Sequence, residues 1–210
     1  HFSWLYQAGV HRVLDQMLKD KQLNPFMLVM PSDGLAGDGT GYLPHVVKDY
    51  EKWIIEDVFE AINYHFPEIS TKSSAFITGL SMGGYGALHL GIKHHQLFDG
   101  ISAHSAITDL SDFQSFIDEQ HQTFISPKNI QEARIIDYAQ KFKENIPPLR
   151  FDCGVEDRLI ESNRKLHKQL EQDQIDHKYE EFSGSHNYEY WTTHISRSFS
   201  FFQEIINWHQ

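Results

Sequence analysis

Five consecutive residues, Gly79-Leu80-Ser81-Met82-Gly83, carry the strongest chemical signal in the sequence. They fit G-x-S-x-G, a turn in which a strand passes sharply into a helix and presents a serine hydroxyl at its apex. Glycine is needed two residues before and after the serine, because side chains there would collide across the turn. Met82 follows the serine, so its backbone N–H faces the place where a carbonyl oxygen would gain charge, with the positive end of the new helix behind it. The chemistry implied is attack on an acyl carbon by Ser81, with a covalent intermediate. Glycine and serine each make up near 7% of residues in ordinary proteins, so chance supplies roughly 0.07 such pentapeptides in a chain this long. Position separates it from a Gly-rich turn without chemistry: Ser74-Ala75-Phe76-Ile77-Thr78 reads as a strand before it. The small residues of Gly84-Tyr85-Gly86-Ala87-Leu88 then suit a helix packed closely on a sheet.

A serine hydroxyl is a weak nucleophile and needs a base, which an acid must orient. For this turn the chain order is Ser, then Asp or Glu, then His. Cys153-Gly154-Val155-Glu156-Asp157 closes the apolar run that begins at Leu149 and offers Asp157 as the acid, with Glu156 second. Asp152 lies inside that run and reads as a strand-end hydrogen-bond partner; Asp109 and Asp112 are third choices. There are fourteen histidines. The one placed after the last strand is His186, in Ser183-Gly184-Ser185-His186-Asn187, where Gly184 and Ser185 let the loop curl back toward Ser81 and Trp191 braces it. His194 reads as a surface or packing residue. His104 follows a strand and would line the site, but its chain order is wrong for the base. His94-His95 ends a helix, where a positive tendency suits the dipole.

These residues need a scaffold, and the pattern supplies one. Short apolar runs alternate with longer helical stretches, the signature of a parallel sheet covered by helices. Helices are expected with Val10, Val13, Leu14, Met17 and Leu18 on one face, over about 46–65 with Trp53, Ile54, Val58 and Ile62 inward, and over 84–93, 159–172 and 188–208. Strands are expected at Phe26–Met30, Ser74–Thr78, Gly100–Ser105, Leu149–Gly154 and His177–Phe182. A polar, mostly helical stretch over about 107–148 breaks the rhythm and reads as a small cap-like insertion in one α/β-hydrolase domain spanning 1–210. The first element is a helix, whereas a parallel sheet feeds each helix from a strand, so N-terminal strands are expected upstream of His1. Asp33-Gly34…Asp38-Gly39-Thr40-Gly41 lacks the alternating ligands and closing Glu of a calcium loop. It reads as a rim loop of the active site, and no metal is expected.

Composition narrows the partners. A hydrophobic fraction of 40% fills a core, and a net charge of −11 with scattered lysines repels nucleic acid. No apolar run reaches the length of a membrane helix. Cys153 is the only cysteine, which excludes an intramolecular disulfide and leans toward the cytoplasm, though a large secreted hydrolase needs no disulfide either. Homo-oligomerisation is left open.

The segments Gly79–Leu88, Gly154-Val155-Glu156-Asp157 and Gly184-Ser185-His186-Asn187-Tyr188-Glu189-Tyr190-Trp191 together resemble the Putative esterase family of α/β-hydrolases. That family includes esterase D (S-formylglutathione hydrolase), tributyrin, feruloyl and acetylxylan esterases, and the antigen 85 mycolyltransferases. The resemblance runs from Trp4 to Trp208 and implies Ser81 as nucleophile, Asp157 as acid, His186 as base and no cofactor. It also implies a second oxyanion donor upstream of His1, from a strand ending in His-Gly. Esterase D carries His where Tyr85 stands, so the turn is more similar to tributyrin-type and feruloyl-type members.

The expected activity is therefore a serine carboxylesterase cleaving short-chain or aromatic acyl esters of small molecules. An acyltransferase or an S-formylglutathione-type thioesterase would use the same triad, and a non-catalytic binding module is the remote alternative. Trp4, Tyr42 and Trp191 are the candidate substrate contacts, within a wider aromatic set that adds Tyr6, Phe113, Phe116 and Phe124.

Overall fold

The computed structural model describes residues 3–34, 39–69, 73–113 and 134–208. Among them four strands, β1 (Phe76–Leu80), β2 (Gly100–His104), β3 (Leu149–Gly154) and β4 (Lys178–Phe182), form one parallel sheet in the order β1-β2-β3-β4. Each pair is joined by a crossover that includes helix: α4 (Met82–Lys93) between β1 and β2, α5 (Leu110–Phe113) and α6 (Ile135–Lys141) before β3, and α7 (Ile160–Gln172) before β4. Ahead of them come α1 (Val10–Lys19), α2 (Tyr50–Lys52) and α3 (Val58–His65); α8 (Tyr188–Trp208) closes the chain.

The pleat sorts β2 and β3 into two different faces. Ile101 and Ala103, with Leu149, Phe151 and Cys153, point toward α4, α6 and α7 and build the main apolar core with Leu88, Ile92, Leu166 and Leu170. Their neighbours Ser102, His104, Arg150 and Asp152 point to the opposite face, where α8 lies across the sheet. A second cluster binds α8 to α1, through Ile195 and Phe199 against Val10, Leu14 and Met17. The helices over 188–208 and 159–172 and the strand Leu149–Gly154 stand where the apolar spacing put them, within a residue at each end.

Two expectations need correction. Phe26–Met30 is not a strand: its residues alternate between half-buried and exposed, as an extended segment does, but no ladder pairs it among the described residues. Phe26, Leu28 and Met30 are turned inward onto the α1–α8 cluster while Met27 and Val29 stay exposed, so the period of two reports a one-sided contact with helices. The helix expected over 46–65 begins at Tyr50, where the Asp49 side chain caps Lys52 N–H, and widens into a π-helical turn over Trp53–Asp57. That turn buries Ile54 and leaves Trp53 partly exposed, its indole N–H bonded to Ser32 O. The insertion expected at 107–148 contains α5 and α6, with its middle, 114–133, outside the described residues.

Candidate active site

Strand β1 ends at Leu80 and α4 begins at Met82, so Ser81 alone makes the turn, with φ 52° and ψ −118°. A non-glycine residue there costs on the order of 1–3 kcal/mol. The neighbours that hold it are explicit: Ser81 N–H donates to His104 O at 3.0 Å, while Ser81 O accepts from Tyr85 N and Ile107 N at 3.1 and 3.2 Å. A Cβ on Gly79 would stand 2.0 Å from Gly83 O, which accounts for the glycine at 79, whereas a Cβ on Gly83 would meet only Tyr42 Oη at 3.7 Å, so the collision expected on that side of the serine is not found. Ser81 is the N-cap of α4, yet its side chain makes no cap bond. The hydroxyl is turned instead to His186, with Oγ 2.9 Å from Nε2. The first-turn N–H groups of α4, Met82 first, thus lie at the positive end of a helix beside the serine.

His186 comes from the loop between β4 and α8, a helix capped by Asn187 Oδ1 on Tyr190 N–H. Its Nδ1 is 2.9 and 3.0 Å from the two carboxylate oxygens of Asp157. An ionised carboxylate only accepts, so Nδ1 carries the proton and Nε2 is left to accept from Ser81. Asp157, 2% exposed, follows β3. Burial alone would raise its carboxyl, but hydrogen bonds from His186 and from Leu159 N–H hold it below the usual carboxylate range. Trp191 stands edge-on to the His186 ring, at 4.9 Å and 88°.

The remaining candidates fall outside this line of three. Glu156 is exposed and bonds to the backbone of Gly184. Asp109 caps Ser111, and Asp112 accepts from Ser162. His94 binds Glu51, His95 rests on Phe142, and His194 is stacked on Phe182 and tilted against Tyr190. Among the aromatic residues, Tyr42 crosses the elbow helix, where a Cβ on Gly86 would lie 2.5 Å from its ring. Its loop also brings Gly39 against the Met82 side chain, and Asp33 ties the loop's two ends together by accepting from Thr40 N–H and Oγ1. Trp4 packs with the α1–α8 cluster, Tyr6 is 70% exposed, and Phe113 lies in the core against Tyr85. Phe116, Phe124 and Asp38 are outside the described residues.

Beneath the serine lies a buried polar array that the sequence did not disclose. Asp152 receives Tyr190 Oη at 2.7 Å and Arg150 Nη2 at 2.6 Å, and its carboxylate is 2.9 Å from His104 Nδ1. His104 Nε2 meets Ser198 Oγ at 2.7 Å, and Ser198 meets Ser102 at 2.6 Å. This array copies the order Ser, His, Asp but is sealed from solvent, so its work is to join α8 to β2 and β3. The only hint in sequence is the polar i, i+2 pairs, Ser102 with His104 and Arg150 with Asp152, inside apolar strands.

Burial would raise the Asp152 carboxyl, but His104, Arg150 and Tyr190 hold it well below the usual carboxylate range. A carboxyl lowered on folding contributes stability that is full above its unfolded value, about 3.9, and is lost as pH falls through the folded one. Thermal melts across pH 2 to 7 should therefore show Tm dropping below about pH 4. Asp152→Asn should lower Tm at neutral pH, since the buried Arg150 guanidinium then keeps only the Glu180 carboxylate, 3.2 Å away, as an ion-pair partner, and breaking a buried pair costs up to about 3–5 kcal/mol. It should also flatten the acid drop. A variant with the parent's acid slope would remove Asp152 from this account.

With the site's geometry established, comparison with known proteins defines the class. Residues 2–202 match the family model described as Putative esterase, and the chain belongs to that family. An acetyl esterase of Caldicellulosiruptor saccharolyticus is 27% identical over 189 residues, covering 81% of this chain and 70% of that protein. A ferulic acid esterase superposes with TM-score 0.83 at 20% identity, over 98% of this chain and 80% of its own. An S-formylglutathione hydrolase from Staphylococcus aureus gives TM-score 0.65 at 22% identity, over 77% and 68%. The fold is that of the α/β-hydrolases and the chain is a carboxylic ester hydrolase. Among the described residues no helix is long and apolar enough to cross a membrane.

Proposed function

We propose that the protein is a serine carboxylesterase working through Ser81, His186 and Asp157 by way of an acyl-enzyme. One observation carries this reading: three side chains from distant parts of the chain meet in a continuous relay, Ser81 Oγ to His186 Nε2 at 2.9 Å and His186 Nδ1 to Asp157 at 2.9 Å. Ser81 attacks the ester carbonyl as His186 takes its proton. Charge on the carbonyl oxygen is met by Met82 N–H at the start of α4. The imidazolium, steadied by Asp157, returns the proton to the departing alcohol, and water then repeats the attack on the acyl-enzyme.

The acyl group we assign is short or aromatic. Tyr42 lies over the helix that follows the serine and Trp191 stands edge-on to the base, so aromatic rings pack against the two elements that carry Ser81 and His186. The similarity to an acetyl esterase and a ferulic acid esterase points the same way. A series of nitrophenyl esters of graded chain length, with feruloyl esters and acetylated sugars, tests it. Acetyl to butyryl and feruloyl esters should be cleaved faster than long-chain ones; preference for long chains overturns the assignment. Running the same series with added alcohols separates the hydrolase from an acyltransferase, because only the latter diverts acyl groups from free acid to new ester.

A further inference from the structure

We propose that Glu156 is a positioning residue, which clasps Gly184 on both its N–H and its carbonyl and so fixes the His186 loop against the Asp157 loop; this rests on the triad reading above. Glu156 N–H donates to Gly184 O at 3.0 Å, and Gly184 N–H donates to a Glu156 carboxylate oxygen in a short contact. The two bonded residues lie close in sequence to the candidate acid and base: Glu156 precedes Asp157 by one position, and Gly184 precedes His186 by two.

The need for the clasp follows from where the sheet stops. Ladder bonding between β3 and β4 runs from Arg150↔Lys178 to Gly154↔Phe182. Val155 N–H extends it by one bond to Phe182 O at 2.8 Å. Past that point the two chains leave the sheet at the end where the catalytic groups meet. Gly184 adopts φ 135°, a conformation that L side chains rarely take, and a Cβ on Gly154 would stand 2.2 Å from Gly184 O. The loops are thus in backbone contact, and only the clasp joins them with hydrogen bonds reciprocal between one pair of residues. On its far side Gly184 rests on Tyr190, where an added Cβ would be 2.7 Å from the ring, and Tyr190 is itself anchored through its hydroxyl to Asp152. Gly184 is therefore gripped from both sides. A bond from a backbone N–H to a carboxylate is about twice as strong as a neutral one.

The consequence is kinetic. Misplacing a reacting group by about 1 Å costs on the order of 10² in rate, and a base loop that keeps the backbone bond of the clasp but loses its carboxylate bond shifts by a part of that. Glu156→Ala should lower kcat about tenfold or more and leave KM within about twofold, with Tm close to that of the parent. Glu156→Gln should recover kcat to within about threefold, since its amide oxygen accepts the same N–H. A role in stability alone would move Tm and spare kcat, and a substrate contact would raise KM; either result overturns the proposal. So does a Gln variant as slow as the Ala variant at unchanged Tm. Asp157→Asn, measured alongside, separates the two levels of inference. If it is disabled while Glu156→Ala keeps the parent kcat, the clasp is wrong and the triad stands; if it too turns over normally, the triad reading itself fails.

Discussion

Alanine at position 81 should abolish all but a trace of activity, with kcat lower by several orders of magnitude, on the order of 10⁶ as for the nucleophile of other serine hydrolases. The whole loss comes from one oxygen atom, because the other parts of the machine do not depend on it. Met82 N–H stays at the start of α4, held by the same backbone bonds that fix position 81 to His104, Tyr85 and Ile107. His186 keeps Asp157. What remains, on the order of 10³ over the uncatalysed reaction, reflects binding and oxyanion stabilisation alone. The fold should not suffer, since alanine tolerates φ 52° no worse than serine does and the half-buried site loses only a hydroxyl. Turnover of a nitrophenyl ester, Tm, and the mass shift left by an organophosphate probe make the set. The parent should take up one probe per chain at Ser81 and the variant none. Stoichiometric labelling of another serine, or parent-like turnover in the variant, would sink the assignment.

How far the sequence disclosed this arrangement depends on the kind of interaction. The elbow was legible because its constraint is local: a sharp strand-to-helix turn, closed to any side chain at Gly79, writes itself into five consecutive residues. The strands β2 and β3 were legible because burial on one face needs Ile101, Ala103, Phe151 and Cys153 in a row with period two. Phe26–Met30 misled for a different reason: five apolar residues in a row read as a buried strand, but an apolar run says nothing of where backbone groups bond, and Phe26, Leu28 and Met30 face helices. The polar array under the serine was closed to sequence reading for a third reason. Asp152 was placed as a strand-end hydrogen-bond partner, yet its donors come from β2, β3 and α8, with Tyr190 thirty-eight positions away. Which of many polar residues share one buried spot is fixed by tertiary packing alone. The choice between Glu156 and Asp157 was of that kind too, since adjacent residues in a loop point in different directions. In the structure Asp157 turns inward to His186, while Glu156 turns to Gly184.

That difference in direction supports the second large effect. Asp157→Asn should lower kcat by about 10⁴ with little change in fold. Asparagine keeps the size of the side chain and an oxygen that can accept Leu159 N–H, now 2.8 Å from Asp157 Oδ1. Its NH₂ then faces His186 Nδ1 as a donor. The imidazole can meet a donor there only by giving up the proton on Nδ1, which moves to Nε2. Nε2–H then donates to Ser81 Oγ, 2.9 Å away, and the serine has no base to accept its proton. The geometry of the relay survives while its direction is reversed, which is why the loss should fall on kcat far more than on KM or Tm. Glu156→Gln should cost far less, because its bond is to a backbone N–H that an amide oxygen can also accept. The two variants, assayed side by side on one nitrophenyl ester, give an ordering with no overlap. A severe loss in Glu156→Gln with a mild one in Asp157→Asn would transfer the acid's role to Glu156, and Asp157 would then serve only the turn before α7, by accepting from Leu159 N–H.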